Sequence, residues 1–404
     1  MSKKSVAKKS VPSLFILVFM ISVGPFGDTL YTPSLPDIAT SLNTYYNNVQ
    51  LTITTYLLGY ALSQLAYGPL SDRYGRKPVM IIGAAIFVLG SLICAFSFDI
   101  SILIAGRFIQ GLGACAGAVL SSAAVRDAFP ESKQGAVFAK INLAFAIAPG
   151  LGPIVGSFTA HNFSWHVNFM ILLILGFLLL ILVIIMFPET LAQKNHHAIH
   201  PKKIVMNYLS LFKADGYFVY LCLLGISLGI LYSCLIEAPG LVIDTMHLNP
   251  SWFMIIALSI MVAFMIGSVI CNYLCGRLDD DIILISGMTI IMVSSIIFFF
   301  IMYLAPLSLW TLLIPFVLIF IGVAFIIPVA TMKALAPFND IVGSASAMMG
   351  FFQMGFASLV TAIVTFIDVY LGNIFTMPVS FFILSFIGLS IICGYVLMKN
   401  KVKC

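Results

Sequence analysis

The sequence predicts an all-α membrane protein: twelve transmembrane helices arranged as two pseudo-symmetric six-helix bundles. Three observations predict it. First, 61% of the 404 residues are hydrophobic, only 9% are charged, and the mean hydropathy is +1.11. A soluble domain is about 45–50% apolar and about 25% charged, and one this greasy would aggregate. That excludes a soluble enzyme, a nucleic-acid binder and a disordered chain. Second, the chain divides into apolar runs of the roughly 20 residues that cross a bilayer as helix. Third, features of the first half recur 208 residues later.

In order, the predicted spans are roughly 13–35, 49–70, 78–97, 101–125, 134–160, 165–187, 214–240, 251–274, 281–303, 307–330, 341–367 and 376–398. Barrel strands are excluded, being about 10 residues long and alternating in polarity. The first run follows Lys3, Lys4, Lys8 and Lys9, as in a signal peptide, but is too long for one and lacks a small-x-small cleavage site. It reads as a retained first helix. The 188–213 stretch is the longest polar one and separates units 1–187 and 214–404 as a linker.

Basic residues fix the orientation. Besides the N-terminal lysines, even-numbered loops hold Arg73, Arg76, Lys77, Arg126, Lys133, Lys194, Lys202, Lys203, Lys213, Arg277 and Lys333, and the C-terminal tail holds Lys399, Lys401 and Lys403. Odd-numbered loops hold none, and carry Asp37, Asp99, Asp244 and Asp368 instead. Lys and Arg accumulate on the cytoplasmic side, so both termini and the linker are expected there. Only Arg107 and Lys140 fall within spans; Lys140, near the cytoplasmic end of span five, is expected to snorkel.

The repeat pairs Gly68-Pro69-Leu70-Ser71-Asp72 with Gly276-Arg277-Leu278-Asp279-Asp280, and Gly135 with Gly343. The approaches Ala128-Phe129-Pro130-Glu131 and Ala336-Pro337-Phe338-Asn339 are alike at the same offset. Duplicated bundles typify secondary transporters, whose substrate sites lie near the midplane between halves.

The loop after span two reads Gly68-Pro69-Leu70-Ser71-Asp72-Arg73-Tyr74-Gly75-Arg76-Lys77. Gly and Pro turn the chain, and Asp72 can pair with a nearby cation. This string resembles the G-x-L-x-D-R-x-G-R-[RK] signature of the major facilitator superfamily, whose fold is the one predicted above. The resemblance implies that Gly68, Asp72, Arg73, Gly75 and Arg76 form a cytoplasmic latch between helices of the two halves. Span four carries Arg107-Phe108-Ile109-Gln110-Gly111-Leu112-Gly113. A membrane-embedded Arg either faces a partner or wet cavity or snorkels outward. The string is similar to the family's R-x-x-Q-G-x-G, whose Arg is tied to proton transfer.

Span five carries Ala148-Pro149-Gly150-Leu151-Gly152-Pro153-Ile154-Val155-Gly156-Ser157. Its prolines bend the helix and its glycines permit close approach. It resembles the antiporter signature G-x-x-x-G-P-x-x-G-G, with Ala148 and Ser157 replacing two glycines. That resemblance implies drug:proton exchange, with Gly152, Pro153 and Gly156 shaping the interface of the halves. Span one ends Asp28-Thr29-Leu30-Tyr31-Thr32-Pro33-Ser34-Leu35-Pro36-Asp37-Ile38-Ala39, similar to the D-x-Y-x-P-x-L-P-x-I-A string of bicyclomycin-resistance-type (Bcr/CflA) exporters. The family's acid falls at Thr29; here Asp28 stands one residue earlier, a turn of about 100° on a helix.

Asp28, Arg107 and Glu237 are therefore the candidates for proton coupling, with Asp28 and Arg107 expected to line the cavity at similar depth and to pair. Glu237 in span seven is either a second coupling acid or a residue hydrated near the outer surface. Tyr31, Gln110, Met349, Phe352 and Gln353 are candidates for the substrate cavity; the Met/Phe-rich face of span eleven suits greasy cargo or equally faces lipid. No metal site is expected. His196, His197 and His200 read as a solvated loop, and Cys271/Cys275 as packing. No nucleotide motif occurs, so no cofactor is expected and energy comes from an ion gradient or from the substrate's own gradient; the resemblance implies the proton gradient. The partners expected are a small-molecule substrate, protons and the bilayer, with no nucleic acid, for a protein acting as a monomer in the bacterial inner membrane. The reading is multidrug efflux by proton antiport; the alternative is transport of one metabolite such as a siderophore or amino acid.

Overall fold

The computed structural model describes residues 11–195, 198–199, 206, 208–338 and 341–403. The N-terminal lysines, His196, His197, His200, Lys202, Lys203 and Asn339 lie outside the described residues. No β-strand occurs among the described residues.

Twelve long helices form among the described residues. The first half contains α1 (Leu14–Thr29), a short α2 (Leu35–Ser41), α3 (Tyr46–Tyr74), α4 (Arg76–Ala95), α5 (Ile100–Ala128), α6 (Glu131–Asn162) and α7 (His166–Met186). The second contains α8 (Tyr217–Pro239), α9 (Ser251–Leu274), α10 (Asp280–Leu304), α11 (Leu309–Leu335), α12 (Val342–Leu371) and α13 (Asn373–Lys403). Polar side chains begin several of them. Ser13 caps α1, and Ser308 with Thr311 forms a reciprocal capping box on α11. Asp99 accepts from the Ser101 N–H at 2.7 Å, which holds its carboxyl below the usual range.

The first predicted span does not run straight through. After Thr29 the chain makes a 3₁₀ turn over Thr32–Ser34 before α2. Pro33 and Pro36 lack the N–H groups an unbroken helix would use. Asp28 thus sits beside a helix end.

Packing repeats between the halves. In the first, α1 lies on α5 and α6, α3 on α5, and α4 on α5 and α7. In the second, α8 lies on α11 and α12, α9 on α11, and α10 on α11 and α13. Replacing each helix by its counterpart maps one set onto the other. The long contacts between halves, α3 with α12 and α6 with α9, also map onto each other. This is the predicted pair of pseudo-symmetric bundles.

Eleven helices are long and apolar enough to cross a membrane among the described residues, and α3 is the long helix that falls short. The cause is its polar content: Asn47, Asn48, Gln50, Thr52, Thr54, Thr55, Ser63 and Gln64. Packed between α5 and α12, much of it faces protein, so it can hold groups that hydrocarbon would reject.

Candidate transport site

Arg107 is completely buried within the first bundle. Its Nη1 donates to the Gly27 carbonyl at 3.0 Å and to Gln110 Oε1. Its guanidinium lies 4.1 Å from the Tyr56 ring centre and 4.4 Å from that of Tyr31, which places the cation over two π faces. Gln110 Nε2 passes the network on to Ser91 Oγ at 2.7 Å. Tyr31 Oη bonds Thr52 Oγ1 at 2.5 Å, and Tyr56 Oη donates to the Gly24 carbonyl at 2.8 Å. Complete burial excludes snorkelling.

Asp28 is 3% exposed, and its Oδ2 accepts from Tyr232 Oη at 2.6 Å. Its Oδ1 has no hydrogen-bond partner among the described residues. The expected Arg107–Asp28 pair is not formed. Ion pairs among the described residues join Arg76 to Asp72 and Asp127, Lys333 to Asp280, and Lys399 to Asp281. Arg107 instead grips the carbonyl of Gly27, one residue before the acid, and its charge reaches the carboxyl only through space. The early position of Asp28 explains this: its side chain turns away from the first bundle toward α8.

Glu237 is 1% exposed, so it is not hydrated at the surface. Gln50 Nε2 donates to its Oε1 at 2.9 Å. Around it, Tyr46 Oη donates to the Ile236 carbonyl at 2.7 Å and Asn47 Nδ2 to the Thr365 carbonyl at 3.0 Å. Thr54 and Thr361 bond through their hydroxyls at 2.9 Å. These bonds tie the first part of α3 to α8 and α12 across the seam between halves.

The substrate-cavity candidates do not gather around this cluster. Tyr31 and Gln110 are fully buried inside the first bundle, enclosed by the Arg107 network. Phe352 instead packs with Phe212, Phe218 and Phe351 near the start of α8. Met349 and Gln353 are half-buried on α12. Lys140 is exposed, as snorkelling requires.

The loop after α3 also departs from expectation. Arg76 pairs with Asp72 at 2.6 Å and Asp127 at 2.8 Å, and its Nη1 donates to Ser71 Oγ. The Arg76 and Lys77 N–H groups donate to the Glu189 carboxylate at 2.9 and 3.2 Å. Gly75 has φ of +112°, and the Glu189 carboxylate sits where a Cβ would lie. Arg73 lies over the Tyr74 ring and Gly68 faces open space. These bonds join α3, α4, α5 and the segment after α7, so they fasten the first bundle rather than bridging the halves. The chain reversal leaves Arg76 pointing at Asp127, which ends α5.

The antiporter motif is corrected similarly. A Cβ on Gly152 would meet Thr29 Oγ1, and one on Gly156 the Leu30 carbonyl oxygen. These glycines, with Pro153 in the same stretch, set α6 against the end of α1, within one bundle. Gly150, about 200° around the helix from Gly152, is the glycine that faces α9, at Met261.

Sequence reasoning missed Tyr232, Gln50, Tyr56, Asp127 and Glu189. Asp127 and Glu189 carried a signal, as acids next to basic cytoplasmic loops; the others lie in helices without a distinguishing pattern.

Comparison with known proteins agrees with this architecture. The Major Facilitator Superfamily profile matches residues 17–364. The chain is 28% identical over 365 residues to Multidrug resistance protein D of Escherichia coli (strain K12), covering 86% of each. It is 32% identical over 222 residues to the Bicyclomycin resistance protein homolog of Haemophilus influenzae, covering 54% of this chain and 56% of that protein. The crystal structure of a D-xylose-proton symporter superposes with a TM-score of 0.74 at 15% identity, over 93% of this chain and 96% of that one, which speaks to the fold. The chain belongs to the major facilitator superfamily and is a multi-pass membrane transporter rather than an enzyme.

Proposed function

We propose that this transporter exports small amphipathic molecules, drugs among them, across the bacterial cytoplasmic membrane in exchange for protons. The observation that carries the reading is Asp28: a buried carboxyl facing the second half, with one oxygen free and no ion-pair partner among the described residues. Burial disfavours the charged form and a hydrogen-bond donor favours it, so movement of the halves changes whether Asp28 holds a proton. Arg107 fixes the backbone beside the acid, and Glu237 is a second acid on the seam. The names of the relatives support efflux as the direction of transport.

Units 1–187 and 214–404 rock about the 188–213 linker, in a monomer with both termini in the cytoplasm and no bound cofactor. A substrate panel in inverted vesicles with an imposed pH gradient tests the reading. Several unrelated cationic and neutral drugs should be taken up only with the vesicle interior acid. Uptake of a single siderophore or amino acid would replace multidrug efflux with one-metabolite transport, and uptake indifferent to the gradient would remove proton exchange. Reporter fusions should score external after Asp99 and Asp244 and internal after Lys203.

A further inference from the structure

The bond to Asp28 comes from the other half of the protein. Asp28 is on α1, Tyr232 is on α8, and both are buried. The rest of the α1 site is supplied by the first bundle: Arg107 holds Gly27, Tyr56 holds Gly24, and Gly152 lies against Thr29. The hydroxyl of Tyr232 is the hydrogen-bond partner of the carboxyl, so the acid's hydrogen bonding changes when the halves move apart.

We propose that Tyr232 is a positioning residue that makes proton release from Asp28 depend on closure of the seam. The inference rests on the proposed proton coupling. In this structure the first part of α3 is bonded to α8 and α12 through Tyr46, Asn47, Gln50 and Thr54. In the proposed orientation that end is external, so the outer side is shut. With the outer side shut, the Tyr232 O–H points at Asp28 and stabilises its carboxylate, which favours release of the proton. When α8 swings away, the carboxylate loses that donor, and it takes up a proton from the opened outer side. Uptake therefore accompanies outward opening and release accompanies outward closure, the sequence that export against inward proton flow requires. The charged and titratable groups facing Asp28 are Arg107 on α5, acting through space, Tyr232 on α8, and Tyr56 and Tyr60 on α3. Tyr56 and Arg107 belong to the first bundle and move with Asp28; Tyr232 does not.

The test is Tyr232→Phe, which keeps the ring and removes only the hydroxyl. A hydrogen bond to a charged group contributes about 1.5–3 kcal/mol, and about 1.36 kcal/mol corresponds to one pH unit. The acid limb of gradient-driven export should therefore move to higher pH by about one to two units. A second measurement does not need transport: carbodiimide reacts with buried protonated carboxyls, and its labelling of the Asp28 peptide, read by mass spectrometry, should persist to a pH higher by the same amount. An unshifted export profile with unshifted labelling overturns the proposal, whether or not the amplitude falls, because a role in packing alone scales the rate without moving the midpoint. Asp28→Asn separates the underlying reading. If that variant keeps full gradient-driven export, proton coupling through Asp28 fails irrespective of Tyr232. If it loses export and Tyr232→Phe shows no shift, only the role of Tyr232 fails.

Discussion

Gln50 Nε2 donates to Glu237 Oε1 across 2.9 Å, and the two residues belong to opposite halves of the transporter. Neither side chain is exposed, and Gln50 Oε1 and Glu237 Oε2 have no hydrogen-bond partner among the described residues. Burying a polar group costs free energy unless it is paired. A contact that satisfies one atom of each residue and leaves another open therefore binds the seam without making it permanent. The neighbouring bonds from Tyr46, Asn47 and Thr54 are neutral and made to carbonyls or hydroxyls of α8 and α12. Such a seam can part when the halves rock.

Replacing Glu237 by Gln tests the charge alone. The amide keeps the shape and still accepts from Gln50, so insertion and folding should be unchanged. A buried carboxylate offsets a cationic cargo and does little for a neutral one. Export of cationic substrates should fall about tenfold, equivalent to about 1.4 kcal/mol, with neutral substrates changed far less. Equal losses for both classes in the vesicle assay would show that Glu237 acts on the seam and not on cargo charge.

Part of this site was legible in the sequence. Arg107 and Asp28 stood out because charge is costly inside a membrane, and the repeat at 208 residues announced two bundles. The partners were not legible. Tyr232 is one aromatic residue in an apolar helix, and nothing in its neighbours marks it as facing α1, more than 200 residues away. The one-residue displacement of Asp28 was visible, yet its consequence, a turn toward α8 in place of Arg107, depends on where the helix ends at Thr29. Likewise α3 shows weak hydropathy as a sequence, and only its place between α5 and α12 explains why. Motif roles transferred least well: the glycines of α6 keep their spacing, but the face they occupy packs on α1.

Arg107 should be sensitive to shape as well as charge. Its guanidinium lies over the Tyr31 and Tyr56 rings, and its Nη1 donates to both the Gly27 carbonyl and Gln110. Arg107→Ala should abolish export and lower the melting temperature in detergent, since a desolvated cation–π contact contributes about 2 kcal/mol before the cavity is counted. Arg107→Lys keeps the charge but not the planar guanidinium that lies over the two rings, and should recover less than half of the lost melting temperature. Wild-type export by the Lys variant would mean that charge alone matters at this position.

The cytoplasmic loop gives an ordered pair of effects. Arg76 has two carboxylate partners, of which the Asp72 side chain is 45% exposed and that of Asp127 22%. Exposed pairs contribute about 0–1 kcal/mol, whereas a more enclosed pair is screened less. Asp127→Asn should therefore reduce transport and melting temperature more than Asp72→Asn, with membrane insertion unchanged in both. The reverse order would mean that Asp72 acts on a partner it meets only in another conformation, as a latch between halves would.

The contact between α6 and α1 provides the last test, because it links helix packing to the placement of Asp28. Gly156 lies against the Leu30 carbonyl oxygen, with Pro33 Cδ 3.2 Å from where a Cβ would be, and Gly152 lies against Thr29. A methyl group at 156 cannot be accommodated by turning a side chain, since its nearest neighbour is backbone. The end of α1 must move, and Thr29 and Asp28 move with it. Overpacking of this kind costs about 1–3 kcal/mol. Gly135, on the same helix, has nothing within 4 Å of its Cβ position, and Ala there should stabilise the helix by about 0.5–1 kcal/mol. Gly156→Ala should therefore lower the melting temperature and cut proton-driven export several-fold, while Gly135→Ala melts at or above the wild-type temperature. If Gly156→Ala exports normally, the end of α1 tolerates displacement, and the position of Asp28 is not set by its contact with α6.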